Sequence, residues 1–106
     1  MAIRTAYLGD GSRAGAGTSV IYTALTAQHV RVRECAIGVG AGVTAALQAV
    51  HGVGAARTLL VVTGGLAAVQ TLNELSTVLE AGDKLQVTTT GLGTTTWYAS
   101  GTIYDN

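Results

Sequence analysis

Short apolar runs, parted by glycine-bearing turns about every 8 to 12 residues, limit this chain most strongly, because that spacing belongs to sandwiches and barrels. Ile3 to Leu8 is the first run, closed by Gly9-Asp10-Gly11. Ser12-Arg13-Ala14-Gly15-Ala16-Gly17 then offers nothing to bury and reads as a flexible arm or long loop. From Thr18 to Leu25, Val20, Tyr22 and Ala24 alternate with Ser19, Ile21 and Thr23, and Thr26-Ala27-Gln28 turns the chain. His29 to Val39 is the longest strand expected. Val30 and Val32 point one way, and His29, Arg31 and Arg33 the other. The apolar row resumes with shifted parity at Cys35, Ile37 and Val39, which predicts a bulge near Glu34 or a strand covered on both faces.

Val43 to Val50 contains helix formers, but its alternation and the glycines at 38, 40 and 42 favour a strand. Leu59-Leu60-Val61-Val62, within Arg57 to Thr63, is a continuous apolar run of the kind found in a central core strand. Ala67 to Leu72 and Leu75 to Leu79 follow, and Glu80-Ala81-Gly82-Asp83 turns the chain into Lys84 to Thr90, with Leu85 and Val87 facing in. Thr94 to Tyr104 closes the domain, and its threonines disfavour helix. The expectation is an all-β antiparallel sandwich, jelly-roll-like, of eight or nine short strands. Residues 1–17 would form an N-terminal strand and Gly-rich arm and residues 18–106 the sandwich, with Trp97 or Tyr22 as large core anchors.

Composition narrows the function. At 106 residues one domain fits, and charged residues are 11%, against about 25% in an average soluble domain. A net charge of zero excludes counterion-driven nucleic-acid binding and a charge-driven membrane-surface role. The uncharged stretch from Ala36 to Ala56 is long enough to span a bilayer, but its glycines, Thr44, Gln48 and His51 argue against insertion. Met1-Ala2-Ile3-Arg4 opens no signal-peptide core, so synthesis in the cytoplasm is expected.

Chemistry is sparse. Gly9-Asp10-Gly11 and Gly38-Val39-Gly40-Ala41-Gly42 lack the Lys-Ser/Thr and the helix that phosphate-cradling loops need. No nucleophile elbow is present, and Cys35, His29 and His51 form no metal-ligand spacing. Cys35 reads as an inert core residue and His51 as a polar loop residue; Asp10, Glu34, Glu74, Glu80, Asp83 and Asp105 show no paired arrangement. No catalytic residue, cofactor or metal is expected. The clustered positive charge of His29, Arg31 and Arg33 reads either as an exposed face or edge kept soluble by charge, or as a docking strip for an acidic partner. With Arg4 and Arg13 these are the candidate partner-binding residues.

Ser19-Val20-Ile21-Tyr22-Thr23-Ala24, Val30-Arg31-Val32-Arg33 and Leu79-Glu80-Ala81-Gly82-Asp83-Lys84-Leu85 together resemble a family of small tailed-phage virion proteins. The likeness runs over nearly the whole chain. It departs at Thr26-Ala27-Gln28, where the family often has Pro-Ala-Gly, and at Gly38 to Gly42. The resemblance implies a non-enzymatic β-sandwich, made in the host cytoplasm and carried in the virion. It would serve as a capsid decoration (cement) protein or as a tail or head-to-tail accessory. Its partners would be itself, as a homo-oligomer such as a trimer, and the major capsid protein or another virion protein, with neither nucleic acid nor membrane. Scarce charge fits this, because broad neutral faces favour a permanent neighbour. A different class remains open: a carbohydrate-binding sandwich stacking sugars on Trp97, Tyr98 or Tyr104, which needs Trp97 exposed in a groove.

Overall fold

The computed structural model describes residues 2–52, 54–64, 68–72 and 77–105. They form β1 (Ala2–Ala14), β2 (Gly17–Thr23), β3 (Gln28–Val39), β4 (Val43–Val50), β5 (Ala56–Gly64), β6 (Ala68–Leu72), β7 (Thr77–Leu79), β8 (Lys84–Thr90) and β9 (Thr94–Asp105). Ala67 and the Leu75 start of the seventh expected strand lie outside the described residues. One sheet runs β1-β9-β3-β6, with β7 also on β3, and the other runs β2-β8-β4-β5. β6 pairs with Cys35 to Val39 and β7 with Val30 to Val32, so the two share one side of β3 and the nine strands fill eight positions. First pairs with last, second with second-last, and so inward to the β4–β5 hairpin, all antiparallel. A long hairpin rolled up in this way is a jelly roll.

The period-two pattern sets the core. Val30, Val32, Cys35, Ile37, Val43, Ala45, Leu47, Leu85, Val87, Trp97, Ala99 and Ile103 are buried between the sheets. Each large aliphatic there contributes about 1.5–3 kcal/mol. Trp97 is 8% exposed and sits within the core cluster, while Tyr22 packs only partly buried against it. The parity change in β3 is a bulge: its register on β9 slips between Val32 and Glu34, leaving Arg33 extra and restoring the apolar side to the core at Cys35.

Three sequence expectations are corrected. Residues 12–14 are not a flexible arm, because their backbone pairs with Thr94 to Thr96 and β1 runs unbroken to Ala14; only Gly15 and Ala16 make the corner into β2. β5 is not a central strand, because among the described residues it pairs with β4 alone and forms the outer edge of its sheet. β3, carrying His29 and Arg31, is not an edge but lies between β9 and the β6/β7 side. Among the described residues no helix is long and apolar enough to cross a membrane; most of residues 36–56 lie in β3 and β4.

Candidate assembly surfaces

One end of the sandwich is held by a carboxylate. Asp83, 5% exposed, accepts from the Gly52 amide at 3.1 Å and from His51 Nδ1 at 2.8 Å through Oδ1, and from the Glu80 amide at 3.0 Å through Oδ2. The Glu80–Asp83 turn needs Gly82 at φ 88°, and it joins the Ala24 backbone in both directions at 2.9 Å. Burial alone would raise the Asp83 pKa; the hydrogen bonds from His51 and from the Glu80 and Gly52 amides overturn that and hold it below its ordinary value. His51 is 85% exposed, and the hydrogen bond to Asp83 raises its pKa. The Ala-Gly-Asp turn that carries the phage resemblance is thus the clasp joining three loops.

Histidine hydrogen-bonded to aspartate is also the base-and-orienter half of a nucleophilic site. The adjoining cleft, about 290 Å³, is lined by Ala49, Val50, Ala55, Arg57, Val78 and Leu79 besides His51, Glu80 and Asp83, and none of these is a serine, threonine or cysteine. Cys35 is fully buried, and burial first, then Glu34, pushes its pKa up to about 12. No group of three His, Cys, Asp or Glu among the described residues is placed to hold a metal ion.

The five candidate partner-binding residues do not form one patch. Arg13 lies opposite the buried Thr95, on the inward side at the mouth of the sandwich, and its guanidinium donates to Ser19 Oγ at 3.3 Å and the Ala16 carbonyl at 3.0 Å. It braces the β1–β2 corner. Arg4 pairs through its backbone with Ile103, toward the other end of β9. His29, Arg31 and Arg33 do gather on β3, where His29 meets an acid, its Nδ1 2.8 Å from Glu80 Oε2, and Glu34, the residue after Arg33, accepts from the Tyr98 hydroxyl. This outer face is therefore of mixed charge.

The outer face of the other sheet is different in kind. Thr18, Val20, Gln86, Thr88, Thr44, Ala46, Gln48 and Val61 line it, with Lys84 at one end. Thr18 and Thr88 hydroxyls lie 3.1 Å apart, and Gln48 Oε1 accepts from Thr88 at 3.0 Å and from Gln86 at 2.9 Å. Cross-strand hydroxyl and amide pairs keep this surface ordered without charge.

A shallow groove of about 510 Å³ lies beside Gly38, where small residues dip below their neighbours, and it is lined also by Ser12, Thr96, Trp97 and Tyr98. Trp97 does not offer its face there, because its indole is packed under Gly11 and is buried. The hydroxyl of Tyr98 is already bound to Glu34, and Tyr104 stands six residues further along β9, about 20 Å away. These three aromatics form no sugar-stacking platform.

Sequence reasoning missed Gln28 and Asp83. Gln28, expected in a turn, begins β3 buried: its Oε1 accepts from Tyr22 Oη at 2.9 Å and the Leu25 amide at 3.0 Å, and its Nε2 donates to Asp105 at 3.0 Å.

No family model and no curated protein sequence matches the chain. Solved structures do. A chain in the structure of infectious bursal disease virus, Gx strain, superposes with TM-score 0.54 at 14% identity, over 96% of this chain and 31% of that one. A chain of the Bacillus endospore appendages, described as a family of disulfide-linked pili, superposes with TM-score 0.51 at 19% identity, over 97% of this chain and 88% of that one. Similarity at this level establishes the fold alone: a β-sandwich of the sort found in a virus particle and in a pilus subunit. The chain spans about a third of the viral chain's length.

Proposed function

We propose that this protein is a non-enzymatic structural component of a virion, a capsid decoration protein that binds the assembled shell as a homo-oligomer, expected to be a trimer, against the major capsid protein. The observation that carries this reading is the nearly uncharged outer face of the β2-β8-β4-β5 sheet, on a jelly roll whose His51–Asp83 pair serves its loops. A free monomer gains nothing from such a face, whereas a lattice covers it. The likeness to a chain of a virus particle supports the same reading, as does the resemblance to tailed-phage virion proteins.

Copy number separates a shell position from a tail or head-to-tail position. Quantifying the protein on gradient-purified particles should give on the order of hundreds of copies, as shell symmetry requires. A dozen or fewer would move it to the tail, and its absence from particles would end the virion reading. A fibre subunit is the second reading, because the pilus neighbour matches over 88% of its own length. Disulfide linkage of the kind that neighbour's description gives is not open to this chain through Cys35, which is buried.

A further inference from the structure

We propose that β5 is a homophilic edge, and that a second copy of this chain adds its own β5 antiparallel to the free side of the strand about a two-fold axis at Val61. Two four-stranded sheets would then become one of eight. This rests on the reading of the chain as an assembling subunit, and it names the partner and the contact.

The sandwich ends laterally in β1, β2, β5 and the β6/β7 pair. An edge strand presents unpaired backbone amides and carbonyls, and proteins that stay monomeric blunt it with charge, bulges or short length. β1 carries Asp10 and Arg13 and bulges at Leu8. β2 bulges at Ile21, whose carbonyl oxygen lies 2.8 Å from where a Gly9 side chain would begin, so these two edges close on each other. β6 and β7 are five and three residues long. β5 is nine residues long, and from Thr58 to Gly64 it holds no charged residue and no proline. Its bulge at Leu59 leaves Leu60 to Gly64 in regular register with β4. Val61 is 53% exposed on the outer face, opposite Ala46.

The sequence of the edge selects a second copy. Antiparallel strands related by a two-fold keep the same face outward, so the axis must pass through a residue position. Centred on Val61, it sets Val61 against Val61 on the outer face and Leu60 against Val62 on the inner, apolar groups throughout, and the bulge residue Leu59, packed back on the core, bounds this regular stretch. Arg57, the only charge on β5, then lies six ladder positions from its own copy, about 20 Å, because the bulge at Leu59 takes up one residue. That exceeds the screening length of about 8–10 Å in ordinary salt, so the edge meets itself without repulsion. The merged outer face continues the uncharged Thr and Gln surface. A two-fold of this kind pairs two copies, or two trimers, and leaves other contacts free.

The test is a cysteine at the axis. Val61→Cys should form an intermolecular disulfide under mild oxidation, because paired residues across an antiparallel ladder have Cα atoms about 4.5–5.5 Å apart, within disulfide reach. Thr5→Cys, also exposed but on β1, should not. Val61→Lys should halve the sedimenting mass of the wild-type assembly with its circular dichroism unchanged. No faster cross-linking at 61 than at 5, or an unchanged mass for the lysine variant, overturns the proposal. These readouts use purified protein alone, so absence from particles would refute the virion reading and leave them standing.

Discussion

Thr95 sits on the inward side of β9 with its side chain fully buried, and its hydroxyl has no hydrogen-bond partner among the described residues. A buried unsatisfied hydroxyl costs about 1–3 kcal/mol, and valine has the same shape without it. Thr95→Val should therefore stabilise the protein by about 1 kcal/mol, read as a higher urea midpoint with an unchanged slope. Core positions such as Leu85, Val87, Trp97, Ala99 and Ile103 were legible because strand alternation depends only on adjacent residues. The roles of Asp83 and Gln28 were not. Asp83 bonds Gly52, 31 residues away, and Gln28 bonds Asp105, 77 residues away; in sequence both look like ordinary turn residues.

Among the elements, the bulge in β3 was legible because a shifted apolar parity has few other causes. It brings β3 and β9 so close that a side chain on Gly101 would collide with the Arg31 carbonyl oxygen. Gly101→Ala should cost about 1–3 kcal/mol in chemical denaturation, the range for forcing extra atoms into a packed site. The pairing of residues 12–14 was invisible to hydropathy because ladder bonds belong to the backbone, and Ser12, Arg13 and Ala14 supply no apolar signal. The apolar run of β5 indicated a core strand; Val62 is buried and Leu59 and Leu60 pack on the core, but Val61 is turned outward, and the run said nothing about neighbours within the sheet. The loop clasp adds a pH dependence. His51 has a raised pKa, so its contribution is full below its ordinary value of 6.5 and is lost as pH rises through the folded value. Asp83 has a lowered pKa, so its contribution is present above 3.8 and is lost as pH falls through the folded value. Stability should fall from pH 6 to pH 8 in the wild type, and His51→Asn should flatten that slope in urea titrations at the two pH values.

The whole molecule measures 45 × 26 × 18 Å, a thin sandwich whose two outer faces differ. One mixes His29, Arg31, Arg33, Glu34 and Glu80; the other is hydroxyl, amide and small apolar groups with Lys84 at its end. Scarcity of charge was plain from composition, but its placement was not, because it depends on which strands become neighbours. The neutral face and the unguarded β5 edge belong to the same sheet, which is what a subunit built to be surrounded would present. Electron microscopy of purified particles tests this most directly. The account predicts sandwich-sized density repeated over the shell, with the β2-β8-β4-β5 sheet turned toward a neighbouring subunit. Particles bare of that density, with the protein recovered as a soluble monomer, would contradict it.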